Sequence, residues 1–208
     1  MNAYQPFREL SPTALANVLT REQIMDITIR PLWAAMPRVA GPAYTVRCEP
    51  GDNLMLHAAI YRAPPGAIVV VDAGGDTNYA VAGGNVCAVA KKRGIAAFII
   101  DGVIRDLAEI REMGFPVFAR GVIPIPGAKD KVAPLDEAVR CGGVHVAPGD
   151  IVVADEEGIA VVPLAKADSI LASAQQRAVK EASETLEAWE AAHRARIDAI
   201  LRDKGFGG

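Results

Sequence analysis

The chain has 208 residues, 51% of them hydrophobic and 5% aromatic, which suffices for one well-covered domain with an appended element. Its 22 Lys+Arg against 25 Asp+Glu give a formal charge of -3, so no basic surplus is available for a phosphate backbone and no nucleic-acid partner is expected. No uncharged run approaches the roughly 20 apolar residues of a membrane helix, and no basic-then-apolar signal opens the chain; a cytoplasmic protein with no membrane partner is expected.

In chain order, an extended pattern around Tyr44 to Cys48 reads as part of a β hairpin. Pro65-Gly66 then feeds the apolar run Ala67 to Val71, which stops at Asp72. Asn85 to Arg93 reads as a helix with Val86, Val89 and Ala90 on one side and Gly94 placed to close it. Ile95 to Ile100 is a second buried strand. Ile104, Leu107, Ile110 and Met113 recur at helical spacing up to Gly114, and Pro116-Val117-Phe118 resumes an extended pattern. Pro148-Gly149 repeats the turn-and-strand form of Pro65-Gly66, within a region of hairpins from Val144 to Val162. Strand, helix, strand, helix, strand predicts parallel pairing covered by helices, hence an α/β domain with extra hairpins.

After Pro163 the composition shifts to Ala, Glu, Lys, Arg and Gln. Ile170, Leu171, Ala174 and Ala178 are spaced for one helical face, followed by Leu186, Trp189, Ile197, Ile200 and Leu201. The sequence predicts a long or broken helical tail that wraps either its own domain or a neighbouring subunit.

Cys48, Cys87 and Cys141 are odd in number and outside any CxxC pattern, which predicts buried free thiols. With only His57, His145 and His193 present, a histidine-rich metal site is excluded, and any metal must be held by oxygen. The lysines stand late in a helix (Lys91, Lys92), in a polar loop (Lys129, Lys131) or in the tail (Lys166, Lys180, Lys204), none of them after a strand, which disfavours Schiff-base chemistry.

Two readings compete for Arg105-Asp106. Asp106-x-x-Glu109 has the spacing of a capping box, which explains both acids as local helix structure. The alternative rests on place: Asp72, Asp101 and the Arg-Asp pair all follow apolar strands, where α/β sheets gather ligands. Gly83-Gly84-Asn85-Val86-Cys87 opens a helix near the same edge, offering free backbone amides to a carboxylate or phosphate, although the glycines fit neither GxGxxG nor a P-loop. Together, a helix N-terminus, an arginine and an aspartate able to hold Mg²⁺ or Mn²⁺ suit a 2-oxo acid, with the cation stabilising an enolate as an adjacent bond breaks.

The spacing Gly84-x20-Arg105-Asp106-x2-Glu109, with "GDNLMLHAAI" at residues 51–60 and "PGDIVVADEEGIAVVP" at 148–163, resembles the family that unites 4-hydroxy-4-methyl-2-oxoglutarate (4-carboxy-4-hydroxy-2-oxoadipate) aldolases with RraA-type regulators of ribonuclease E. The resemblance implies a three-layer β/β/α sandwich of the swivelling type over residues 1–163. It implies a C-terminal helical tail, residues 164–208, packed on a neighbouring subunit of a homotrimer or hexamer. By the same likeness Arg105 binds the pyruvoyl carboxylate, Asp106 holds a divalent metal (Mg²⁺ or Mn²⁺), the amides of Gly84, Asn85, Val86 and Cys87 grip the substrate, and Glu181 of a neighbouring tail completes the catalytic set. The implied activity is class II pyruvate aldolase with oxaloacetate decarboxylase side activity, in the degradation of aromatic compounds; the family's other possibility is a non-catalytic regulator that binds a ribonuclease. Asn85 departs from the family, where that position is often acidic. Asp52, Asn53, Asp72 and Asp76 are further candidates to line a pocket.

Overall fold

In the computed structural model, which describes residues 4–206, Gly66 (φ 84°) and Gly149 (φ 81°) hold the left-handed turns that the two Pro-Gly pairs announce, each feeding an apolar strand. The elements run, in chain order, α1 (Pro12–Ala16), β1 (Arg30–Pro31), β2 (Val39–Arg47), α2 (Leu54–Ala59), β3 (Ile68–Asp72), β4 (Ala80–Ala82), α3 (Gly84–Lys92), β5 (Ala97–Ile104), α4 (Leu107–Met113) and β6 (Val117–Val122). There follow β7 (Val139–Cys141), β8 (Val144–Val146), β9 (Ile151–Asp155), β10 (Gly158–Val162), α5 (Ala167–Ser183) and α6 (Leu186–Asp203).

The main sheet has the order β1-β6-β5-β3-β2-β9-β10, with β4 beside the far end of β5. Strands β2, β3, β5 and β6 are parallel, as the crossover pattern predicts, while β9 and β10 are antiparallel. β2 belongs to both parts: Val39 to Pro42 pair with β9, and Ala43 to Arg47 pair with β3. Tyr44 to Cys48 is therefore not a hairpin but the parallel end of this shared strand. Gly41 sits where β2 passes from one pairing to the other, and a Cβ there would lie 2.5 Å from the Gly66 carbonyl oxygen.

Alternation along the buried strands builds the three layers. Val69 and Val71 of β3, with Phe98 and Ile100 of β5, face α2, α3 and α4. Ile68, Val70 and Ile99 face β9, β10 and the β7–β8 hairpin, where Val152, Ala154, Val161 and Cys141 meet them. Neighbouring side chains on one strand thus serve two cores, a period of two that requires a sheet covered on both faces. A third cluster joins the outer face of β9 and β10 to Phe7, Leu15 and the first turns of α5 through Ile170 and Ala174. This is the β/β/α sandwich with C-terminal helices.

The second strand is longer than its apolar run. β5 continues through Asp101, Gly102 and Val103 to Ile104, so Ile104 ends a strand rather than beginning a helix. Asp101 is mid-strand and buried, salt-bridged to Arg120 Nε at 2.5 Å and accepting the Gly142 amide at 2.8 Å.

The tail is two helices, broken at Glu184-Thr185, where the Thr185 hydroxyl accepts the Ala188 amide and starts α6. Among the described residues, those up to Ala174 form one compact unit and those from Gln175 another. Among the described residues, no helix is long and apolar enough to cross a membrane.

Candidate active site

Because β5 ends at Ile104, Arg105 and Asp106 occupy the turn into α4. Asp106 adopts a left-handed backbone (φ 59°, ψ 38°), which costs most L-residues about 1–2 kcal/mol and which Asp tolerates better than most. Its carboxylate does not cap α4. Instead Oδ2 accepts the Gly84 amide at 3.0 Å and lies 3.4 Å from Arg105 Nε. Glu109 turns the same way, since a Cβ on Gly84 would overlap its Oε2. The spacing of a capping box is present, but the acids face the start of α3, a different helix. Glycine at 83 makes this approach possible: a Cβ there would lie 2.5 Å from Asp106 Oδ2 and 3.0 Å from Arg105 Nε.

Of the amides from Gly84 to Cys87, the first is taken by Asp106 and the last by the Gly83 carbonyl at 3.0 Å. Those of Asn85 and Val86 have no partner among the described residues and stand at the positive end of α3. The Cys87 thiol is fully buried, and burial, reinforced by the Asp106 charge, pushes its pKa up to about 12. It remains a thiol at neutral pH and is no nucleophile.

A cavity of about 200 Å³ opens over this turn, with Arg105, Asp106, Gly83, Asn85 and Val86 in its wall. β4 runs along its base. On one side β4 pairs with β5, and the Arg105 amide donates to the Ala82 carbonyl at 2.9 Å. On the other it is held by the loop after β6: Ala80 donates to Ile125 at 2.8 Å and accepts from Gly127 at 3.0 Å. Pro126 and Lys129 of that loop, with Asn53 and His57 beyond it, complete the lining.

Asp52 fixes this second side. It is 3% exposed, and its carboxylate accepts the amides of Leu54 (2.8 Å), Asp130 (2.6 Å) and Lys131 (3.1 Å). The Asn53 side-chain nitrogen donates to the carbonyls of Gly127 (3.2 Å) and Ala80 (3.4 Å). Lys129 therefore stands on a segment pinned from both flanks. Burial, then the charges of Lys129 and Arg105, hold the His57 imidazole below its ordinary value, which keeps it neutral at pH 7.

Asn53 lines the cavity as the sequence allowed, whereas His57 and Lys129 were not assigned to a site by the sequence. Lys129, read from the sequence only as a residue of a polar loop, lies in the cavity wall; its loop position hides the contact. Asn53 and His57 carry one signal, a spacing of four across the start of α2 that puts both on one helical side. Asp72 lines a different cavity with Arg47, Arg140 and His145, and Asp76 accepts the Gly51 amide at 2.9 Å. Glu181 lies in the unit that begins at Gln175, exposed and paired with Arg177 at 2.8 Å.

Among the described residues there is no group of three or more His, Cys, Asp or Glu that could hold a metal. Asp106 offers one accessible carboxylate. Mg²⁺ and Mn²⁺ accept that arrangement, keeping several waters and taking the remaining oxygens from a substrate, whereas zinc calls for a fuller protein ligand set.

The β/β/α domain carries its Arg-Asp pair at a strand end, facing a helix N-terminus, where open α/β sheets gather ligands. The chain belongs to the RraA-like family, described as Aldolase/RraA, whose profile matches residues 12–161. It is 35% identical over 200 residues, 96% of this chain and 91% of the relative, to a protein of Halalkalibacterium halodurans named "Putative 4-hydroxy-4-methyl-2-oxoglutarate aldolase". Among solved structures it resembles the RNA-processing inhibitor RraA from Thermus thermophilis (TM-score 0.66, 28% identity, 73% of this chain and 91% of that one). It also resembles Streptomyces coelicolor RraAS2, a member of the RNase ES inhibitor RraA family (TM-score 0.74, 29% identity, 93% and 97%).

Proposed function

We propose that this protein is a divalent-metal-dependent pyruvate aldolase, cleaving 4-hydroxy-4-methyl-2-oxoglutarate or 4-carboxy-4-hydroxy-2-oxoadipate to pyruvate plus pyruvate or oxaloacetate. The observation that carries the reading is the Arg105-Asp106 turn, with the Asp106 carboxylate on the Gly84 amide at the wall of a polar cavity.

In the reaction the C4 hydroxyl loses its proton, the C3–C4 bond breaks, and its electron pair passes into the enolate of pyruvate, which is then protonated at C3. Arg105 binds the carboxylate beside the 2-oxo group, and the Asn85 and Val86 amides add donors from the α3 terminus. Asp106 would hold Mg²⁺ or Mn²⁺, which supplies a Lewis acid at the 2-oxo oxygen. Glu181 enters from the C-terminal helix of a neighbouring subunit in a homotrimer or hexamer and takes part in the proton transfers. Oxaloacetate decarboxylation fits the same residues, because loss of carbon dioxide leaves the same enolate.

The test is pyruvate release coupled to lactate dehydrogenase, from 4-carboxy-4-hydroxy-2-oxoadipate, with Mg²⁺ and then with EDTA. Turnover lost with EDTA and in Asp106→Ala supports the aldolase, and borohydride with pyruvate should leave the protein mass unchanged, since no lysine forms a Schiff base. The likeness to the RNA-processing inhibitor supports a second reading, a non-catalytic protein that restrains a ribonuclease. Absence of turnover with any divalent metal, together with inhibition of a ribonuclease E-type enzyme, would decide for it.

A further inference from the structure

The cavity has cationic groups on both flanks of β4. Arg105 follows β5 on one side. On the other, Lys129 sits on the loop that Asp52 and Asn53 tie down, and His57 rises from α2 to the same lining. Both cations line the cavity together with His57, whose protonation is depressed first by burial and then by their charges.

Only one acid of the lining, Asp106, offsets these charges, and it stands on the Arg105 side. A monocarboxylic 2-oxo acid would meet Arg105 and leave Lys129 without a carboxylate within the cavity, since the neighbouring Asp52 carboxylate is buried outside the lining and taken up by three backbone amides. A dicarboxylic acid meets both.

We infer that Lys129, with His57 beside it, is the specificity wall of the site and receives the second carboxylate of a 2-oxo dicarboxylic acid whose first carboxylate lies on Arg105. The inference rests on the aldolase reading for the identity of the substrate, but the selectivity it describes is a binding property and is measured without turnover. The fixed loop matters. A lysine ammonium is a compact point charge on a flexible stem, and anchoring its backbone confines the charge to one end of the cavity. Neutral His57 then serves as a hydrogen-bond donor or acceptor at that end without adding a second full charge.

The experiment compares binding of 2-oxoglutarate and 2-oxopentanoate, which share a carbon chain and differ in the distal carboxylate, by titration calorimetry in Mg²⁺. Wild type, Lys129→Met and Arg105→Met are titrated, with circular dichroism melts to confirm folding. A charge-assisted contact predicts that wild type prefers 2-oxoglutarate by about tenfold or more. Lys129→Met should abolish that preference and leave 2-oxopentanoate affinity within about twofold, whereas Arg105→Met should weaken both acids. No preference in wild type, a preference that survives Lys129→Met, or a parallel loss of both acids in that variant would overturn the inference. The aldolase reading fails separately: if 4-hydroxy-4-methyl-2-oxoglutarate releases no pyruvate while the Lys129-dependent preference persists, the wall stands and the reaction is wrong.

Discussion

Asp106 and Gly84, 22 positions apart, are joined by a 3.0 Å hydrogen bond from the glycine amide to the aspartate carboxylate, and this one contact ties the strand-end turn to the start of α3. The aspartate reaches it from a left-handed backbone and beside Arg105. Its conformation and its partner both bear on what a substitution there does.

Asp106→Asn keeps a residue that tolerates the left-handed region and should fold as the wild type does, with activity lost. Asp106→Ala adds a strained backbone, about 1 kcal/mol further down in stability. Thermal melts and the coupled pyruvate assay, run on both variants, separate the two effects; equal melting temperatures would show that the backbone is not strained.

Gly83→Ala places a methyl where Asp106 Oδ2 and the Arg105 side chain now lie. Both are side-chain atoms that can move aside, so stability should fall by about 1 kcal/mol or less. Turnover should fall far more, by a factor of about 100, because misplacing a positioned group weakens catalysis steeply. Preserved kcat/KM would refute the close approach.

Asp52→Ala strips the acceptor from three amides in a site that is 3% exposed, and should destabilise by about 2–4 kcal/mol. Burial works against its charge, yet the amides of Asp130, Leu54 and Lys131 outweigh it and hold the carboxyl below its usual range. A lowered folded pKa contributes stability above the unfolded value of about 3.9 and loses it as pH falls through the folded one. Urea melts of wild type and variant between pH 7 and pH 3 should converge at the acid end. A difference that stays constant with pH would show that Asp52 contributes no charge-dependent stability.

His57 should titrate below the ordinary midpoint near 6.5, and Lys129→Met or Arg105→Met should each raise that midpoint. Because the folded pKa is depressed, this histidine favours the folded state above about pH 6.5 and that contribution is lost on acidification. Proton NMR of the imidazole across pH 4.5–8 measures it directly, using the His57→Gln spectrum for assignment. A midpoint unmoved by either variant would place the two cations elsewhere.

Much of the fold was legible because it is written in local patterns. The Pro-Gly turns, the helix closed by Gly94 and the one closed by Gly114 follow from backbone chemistry that neighbouring residues share. The end of β5 was misread for an equally physical reason. Asp101 breaks the apolar run, but its charge is buried against Arg120, a partner 19 positions on that local patterning does not register.

By itself the sequence determined the α/β class, the parallel crossovers, a helical tail that is long or broken, and the Arg105-Asp106 pair, all set by short-range periodicity, turn residues and adjacent positions. The tertiary structure decided which helix the two acids address, and that Asn53, His57 and Lys129 share a cavity with Arg105. Those relations depend on β4 lying between β5 and the loop after β6, a juxtaposition made by backbone hydrogen bonds between distant segments. Residue type sets what a side chain can do; the pairing of strands sets what it faces.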